Sequence, residues 1–243
     1  MRLVAPVLLA ISATLLGGCG HMAGNPPQPI LRPSQVSDFA TLYSQNCAAC
    51  HGANGQGGPA MDLANPEYQA LVDDASLRKW ISSGMPGTEM APFAESAGGM
   101  LTDAQVNALI AGMRAQWSHP NTFAGLTPPA YAQQNAGDPQ RGQQAYQSHC
   151  MACHDASPQQ ITSPGYLTLV NDQVLRTIII AGRPDIGHPD WQHDSPGGKP
   201  ATPLTPQQVD DIVTYLASLR YPAQQPATTA ATKPSAHDAS SER

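Results

Sequence analysis

Four of the five cysteines in this 243-residue chain fall in two copies of one pattern, Cys47-Ala48-Ala49-Cys50-His51 and Cys150-Met151-Ala152-Cys153-His154. Two thiols three positions apart, followed at once by an imidazole, match the attachment pattern of a c-type haem. The spacing has a chemical reason. Two thiols add across the two vinyl groups of one porphyrin, and the next residue is then held over the iron as its proximal ligand. Other uses of paired cysteines suit the chain less well. A four-cysteine zinc site wants its pairs about 15–20 residues apart, whereas these are separated by about a hundred. A redox dithiol wants a strand–helix–strand setting, and no convincing strand pattern is present. Disulfides across two residues would close small, strained loops. The expected cofactors are therefore two covalently bound haem c groups. Cys47, Cys50, Cys150 and Cys153 would hold the porphyrins, and His51 and His154 the irons.

The elements that must position these groups are repeated as well. The two motifs are 103 residues apart. Further along, Pro66, Tyr68, Leu71, Val72, Asp74, Leu77, Arg78, Ile81, Gly84 and Pro86 match Pro164, Tyr166, Leu169, Val170, Asp172, Leu175, Arg176, Ile179, Gly182 and Pro184 at an offset of 98. The offset returns to 103 at Leu101-Thr102 and Leu204-Thr205. Such a run of identities is the signature of an internal repeat. Each copy reads as helix, haem motif, loops, middle helix, loop and last helix. Thr102 and Thr205 are expected N-caps. Val106, Leu109, Ile110 and Met113 share one helical face, as do Val209, Ile212, Val213 and Leu216.

With these motifs in place, each half resembles a class I cytochrome c, over about residues 35–118 and 137–221. The resemblance implies an all-α fold, a tandem duplication with one covalent haem per domain. It also implies that the first and last helices of each copy cross closely. Phe39 and Gly112 become Gly142 and Tyr215 in the second copy. Large against small is exchanged for small against large, so each pair is expected to touch and keep the summed volume.

The family's distal ligand is usually a methionine between the middle and last helices. In the first copy Pro86-Gly87-Thr88 precedes Met90, which is the expected sixth ligand, with Met85 the competitor. The second copy has no methionine after Met151. There His188 falls on Met90 at offset 98 and is the expected ligand, with His193 or an open iron as alternatives. In related proteins a proline carbonyl accepts the proximal imidazole's proton, which points to Pro59 for His51. Pro158 is a looser equivalent in the second copy. Arg78 and Arg176 match across copies, and the expectation is either pairing with haem propionates or plain solvation.

The N-terminus reads as an address. Arg2 precedes an apolar run from Leu3 to Leu16, closed by Leu16-Gly17-Gly18-Cys19. This is a signal peptide, too short to be a spanning helix, and its end resembles a bacterial lipobox, with Cys19 as the lipidated residue. The expected layout is signal peptide 1–18, Pro-rich tether 19–35, domain one 36–118, linker 119–136, domain two 137–221 and a disordered tail 222–243. A net charge of −6 argues against nucleic-acid partners, which want a basic face. The chain thus reads as an electron carrier, not an enzyme. It would sit lipid-anchored on the periplasmic face of a bacterial membrane and relay electrons between redox proteins, alone or as a subunit of a respiratory complex. No small-molecule substrate is expected. The rival readings are a dihaem peroxidase-like enzyme and a haem gas sensor, each using an open iron in domain two.

Overall fold

The computed structural model describes residues 30–154, 161–192 and 202–220. Cys19, the signal segment, Pro158, His193 and residues 222–243 lie outside the described residues. The chain divides into two units, Met1–Val36 and Ser37–Arg243. The described part of the first holds a single 3-10 turn, Pro33–Gln35, in which the Arg32 amide donates to Gln35 Oε1 at 2.9 Å.

In the second unit every regular element among the described residues is helical. The first half contains α1 (Phe39–Asn46), α2 (Ala48–His51), α3 (Pro66–Leu71), α4 (Asp74–Ser83) and α5 (Asp103–Trp117). The second repeats the order with α6 (Pro139–His149), α7 (Met151–His154), α8 (Pro164–Leu167), α9 (Asp172–Ala181) and α10 (Pro206–Ser218). Local sequence explains the starts. Asp38, Asp73, Asp138 and Asn171 each accept an amide hydrogen bond inside the first turn they precede. Thr102 and Thr205 cap as expected, each in a reciprocal box with Gln105 or Gln208, which satisfies two otherwise unpaired N–H groups at once. The middle helices stop at Gly84 and Gly182, with φ of 70° and 69°. There glycine avoids the penalty that a Cβ brings.

Packing follows the predicted faces. Val106, Leu109, Ile110 and Met113 of α5 are buried, as are Val209, Ile212, Val213 and Leu216 of α10. The first and last helices of each half do cross in contact. A Cβ at Gly112 would stand 2.1 Å from the Phe39 ring, and one at Gly142 would stand 2.0 Å from the Asp211 carbonyl oxygen and 2.8 Å from Tyr215 Cβ. Around the first crossing Phe39, Tyr43 and Trp117 form a three-ring cluster, with centroids 5.2–5.7 Å apart. Such aromatic contacts add a little to burial.

An arginine pair does the same work in both halves without aligning in sequence. Arg114 Nε donates to Asp74 Oδ1 at 2.8 Å and its Nη2 to the Val72 carbonyl at 2.6 Å, while Nη1 meets the Gln69 carbonyl. Arg220 Nε donates to the Leu167 carbonyl at 2.8 Å and its Nη2 to the Val170 carbonyl at 2.9 Å, while Nη1 meets Asp172 at 2.5 Å. The partners match at offset 98, but the arginines are 106 apart. The second leaves α10 about one turn later, so linear alignment misses it.

The two halves are packed together. Asn65 caps α3 through its side-chain oxygen, and its Nδ2 donates to the Ala181 carbonyl at 2.7 Å. Asn171 caps α9 in the same way, and its Nδ2 donates to the Pro86 carbonyl at 2.8 Å. Leu71 packs against the core of the second half. The segment 119–136 is built in: Pro129 is fully buried, and the Tyr131 hydroxyl accepts from Trp80 Nε1 at 2.9 Å.

Candidate haem sites

Each Cys-x-x-Cys-His motif forms a short helix, α2 or α7, that turns off the end of the preceding helix. Cys47 and Cys150 serve as its hinge, their amides bonding Tyr43 and Tyr146 carbonyls at 2.8 Å. Burial, with Cys50 alongside, pushes the Cys47 thiol up to about 11. Cys50 and Cys153 are exposed. Cys153 nevertheless lines the same cavity as Cys150, His154 and His188.

His51 Nδ1 meets the Met61 carbonyl oxygen at 2.7 Å. A carbonyl only accepts, so the proton sits on Nδ1 and Nε2 is left to ligate, the arrangement typical of metal-bound imidazoles. The acceptor is thus Met61 and not Pro59, two residues further along. The glycine-rich turn swings Pro59 away, and it lines the cavity of the other half instead. No side-chain signal marks a backbone acceptor, so sequence pattern could not have singled out Met61.

In the second half a cavity of about 790 Å³ opens beside His154 and His188, walled by Tyr146, Cys150, Leu175 and Leu204. Its size is within the roughly 300–1,000 Å³ of organic ligand sites. The rings of His154 and His188 face each other across it, centroids 5.8 Å apart and tilted by 40°. Two imidazoles joined through one metal by bonds of about 2 Å bring their centroids to roughly 6 Å. His188 Nδ1 is held by the Pro189 carbonyl at 2.8 Å, which again leaves Nε2 for a metal. The residues therefore fit a haem.

The surroundings of all three imidazoles favour the neutral form, the one that binds a metal. Burial is the leading cause that lowers the pKa of His51, His154 and His188. The Arg183 guanidinium adds to the lowering at His51 and at His188, and His154 adds to it at His188.

Met90 and His188 occupy equivalent places. The Met90 carbonyl accepts from Met85 N at 2.9 Å, and the His188 carbonyl accepts from Arg183 N at 3.1 Å. A Cβ at Gly84 would stand 2.6 Å from Met90 O, and one at Gly182 would stand 2.9 Å from His188 O. Each distal loop thus closes on the glycine that ends its middle helix. Met90 is half-buried, as is Met85. The two arginines proposed for propionates part company. Arg78 is exposed and bonds Asn107 on α5. Arg176 is 2% exposed, paired with Asp210, and donates to the Ala130 carbonyl at 2.9 Å. Nε and Nη1 are committed to the linker and to Asp210, Nη2 is buried without a hydrogen-bond partner, and Arg176 does not line the cavity.

The family model described as cytochrome c matches residues 36–117 and again 139–220. Dihydro-haem d1 dehydrogenase of Pseudomonas aeruginosa is 35% identical over 117 residues, 46% of this chain and 20% of that protein. The cytochrome bc1 complex cytochrome c subunit of Mycobacterium tuberculosis is 27% identical over 192 residues, 74% of this chain and 67% of that one. The cbb3-type cytochrome c oxidase subunit FixP of Sinorhizobium medicae is 26% identical over 165 residues, 61% and 50%. Among solved structures, the KustC0563 c-type cytochrome is 32% identical over 34% of this chain and 99% of its own, with a TM-score of 0.29.

Proposed function

Since the chain belongs to the cytochrome c family in both of its halves, we propose that it is a two-haem electron carrier on the extracytoplasmic face of a bacterial membrane, anchored by lipid on Cys19. The observation that carries the reading is the facing pair His154 and His188, 5.8 Å apart across the second cavity. Each haem, when bound, supplies a one-electron iron couple. The chain's own residues do the rest. The four motif cysteines would hold the porphyrins, with His51 and Met90 as the residues that would hold the first iron and His154 and His188 the second. Carbonyls of Met61 and Pro189 hold the ligand rings in one tautomer, so a change of charge at the iron demands little movement.

A thioether favours ferrous iron more than a second imidazole does, and axial identity is a main lever on potential. The second site would therefore be the lower one, which supports entry of electrons at domain two and exit from domain one. Similarity to subunits of a bc1 complex and of a cbb3 oxidase supports a place in a respiratory complex. The apolar leader ending at Cys19 supports export and anchoring. The partial match to dihydro-haem d1 dehydrogenase is what favours a second reading, an enzyme with an open iron.

Carbon monoxide separates the two. The dithionite-reduced protein should carry two haems per chain and show no prompt spectral change with carbon monoxide. Immediate binding at one haem would overturn the carrier reading and turn attention to the enzyme. Release of the protein from membranes unchanged by Cys19→Ala would remove the anchor.

A further inference from the structure

Arg183 stands where the first half has Met85, directly after the glycine that closes the middle helix. Its backbone holds His188 from both sides: Arg183 N donates to His188 O at 3.1 Å, and His188 N donates to Arg183 O at 2.9 Å. Its side chain leaves the domain. The guanidinium is clamped by Asp185, Nε to Oδ1 and Nη2 to Oδ2 both at 2.8 Å, and Nη2 also donates to the Gly58 carbonyl at 3.1 Å. Asp185 Oδ2 in turn accepts from the Gly57 amide at 3.1 Å. Gly58 lies directly behind the first haem motif, where a Cβ would stand 2.2 Å from the Cys50 carbonyl oxygen. The next residue, Pro59, lines the second cavity. Ala60 N donates to the Cys50 carbonyl at 2.9 Å, so a path of bonded groups runs from Cys50 through the 58–60 turn and Arg183 to His188. Arg183 is 7% exposed, so solvent screens its charge little, while the Asp185 carboxylate at 2.8 Å offsets part of it.

We propose that Arg183 is the positioning residue that couples the two haem sites: clamped by Asp185, it locks the loop carrying His188 to the turn behind His51 and so sets electron exchange between them. The proposal rests on the two-haem reading above. In that exchange one electron leaves one iron and arrives at the other, with no bond made and no proton moved. The lock matters because exchange depends on a fixed separation, and a site left loose by its supporting groups loses rate steeply. The charge matters separately. A fixed cation favours the less positive, reduced state at both irons.

Three variants of the holoprotein divide these effects. Arg183→Met installs the residue of the first half, Arg183→Lys keeps the charge but loses the fork, and Asp185→Asn weakens the clamp from the other side. The measurements are haem content, both midpoint potentials by spectroelectrochemistry, intramolecular electron exchange after flash reduction, and hydrogen exchange at the Gly57 amide. Arg183→Met should lower both potentials, slow exchange by about tenfold and deprotect Gly57. Arg183→Lys should leave the potentials near their original values, yet slow exchange and deprotect Gly57. Asp185→Asn should slow exchange with two haems retained. Should Arg183→Met fail to load haem, the Lys and Asn variants decide alone. Two haems with unmoved potentials and unchanged exchange in the variants overturn the proposal. A single haem in the unmodified protein overturns the two-haem reading instead.

Discussion

In the first distal loop the residue after Gly84 is Met85, half-buried beside Met90. At the same place in the second stands Arg183, which reaches out of its own domain to Gly58. The two loops share their closing backbone bonds, and their ligand positions coincide at Met90 and His188. The common part is a loop that starts at a positive-φ glycine ending the middle helix and folds back onto that glycine. The difference lies in what each loop is tied to. The first is gripped from outside by Asn171 through the Pro86 carbonyl. The second is gripped by Asn65 through the Ala181 carbonyl and itself grips Gly57 and Gly58. Both loops lie on the seam between the halves, and the second is tied to it by more bonds.

The largest expected effect comes from exchanging the ligands. Met90→His should make the first site resemble the second and lower its potential by on the order of 0.1 V or more, within the roughly 0.8 V that axial ligation spans. His188→Ala should open the second iron alone, seen as prompt carbon monoxide binding to one haem of two. If neither change moves its own haem, the equivalence of the loops is wrong.

Next come the helix crossings, where small and large residues are exchanged. Gly112→Ala and Gly142→Ala should each destabilise by about 1–3 kcal/mol through overpacking. The second should cost more, because its added methyl meets the Asp211 backbone, whereas the first meets the movable Phe39 ring. Urea unfolding followed at each haem's own absorption would show the order, and a larger loss in the first domain would count against it.

A smaller effect is expected from pH. Glu67 on α3 is raised to about 8, chiefly by burial and then by the Asp190 carboxylate of the second half. A carboxyl raised on folding binds its proton more tightly in the folded state. Its contribution is therefore complete at pH values below the ordinary carboxyl range and is lost as pH climbs towards 8. Stability should fall across pH 5 to 8, and Glu67→Gln should flatten that slope. A slope unchanged by the substitution would clear Glu67 of the effect.

The smallest is Asn171→Asp. The aspartate keeps the cap on α9 but cannot donate to Pro86, so the loss should be about 1 kcal/mol. Hydrogen exchange in the first distal loop should rise while that in α9 stays unchanged.

Much of this was legible in the sequence wherever identity and linear spacing carried it. Cys-x-x-Cys-His needs five adjacent residues, and the placing of His188 on Met90 needs only a constant offset. The Phe39–Gly112 and Gly142–Tyr215 contacts followed from compensating volumes. What stayed hidden is carried by backbone atoms or by non-linear equivalence. Met61 acts through a carbonyl that every residue possesses. Arg114 and Arg220 meet the same partners from positions displaced by about a turn. Arg176 reads as a surface residue because nothing local announces Asp210, 34 positions away, or the linker that closes over the pair.

That linker has a consequence for how such a gene could be divided. The family match resumes at residue 139, yet the preceding residues complete the interior that follows. Ala130 and Tyr131 carbonyls receive Arg176, Asn135 donates twice to Asp210 at 3.2 Å, and Gly137 sits where any side chain would strike Thr214. A gene fragment carrying residues 139–220 alone would encode a buried cation stripped of its carbonyls, so a transferable second half has to begin near Pro129.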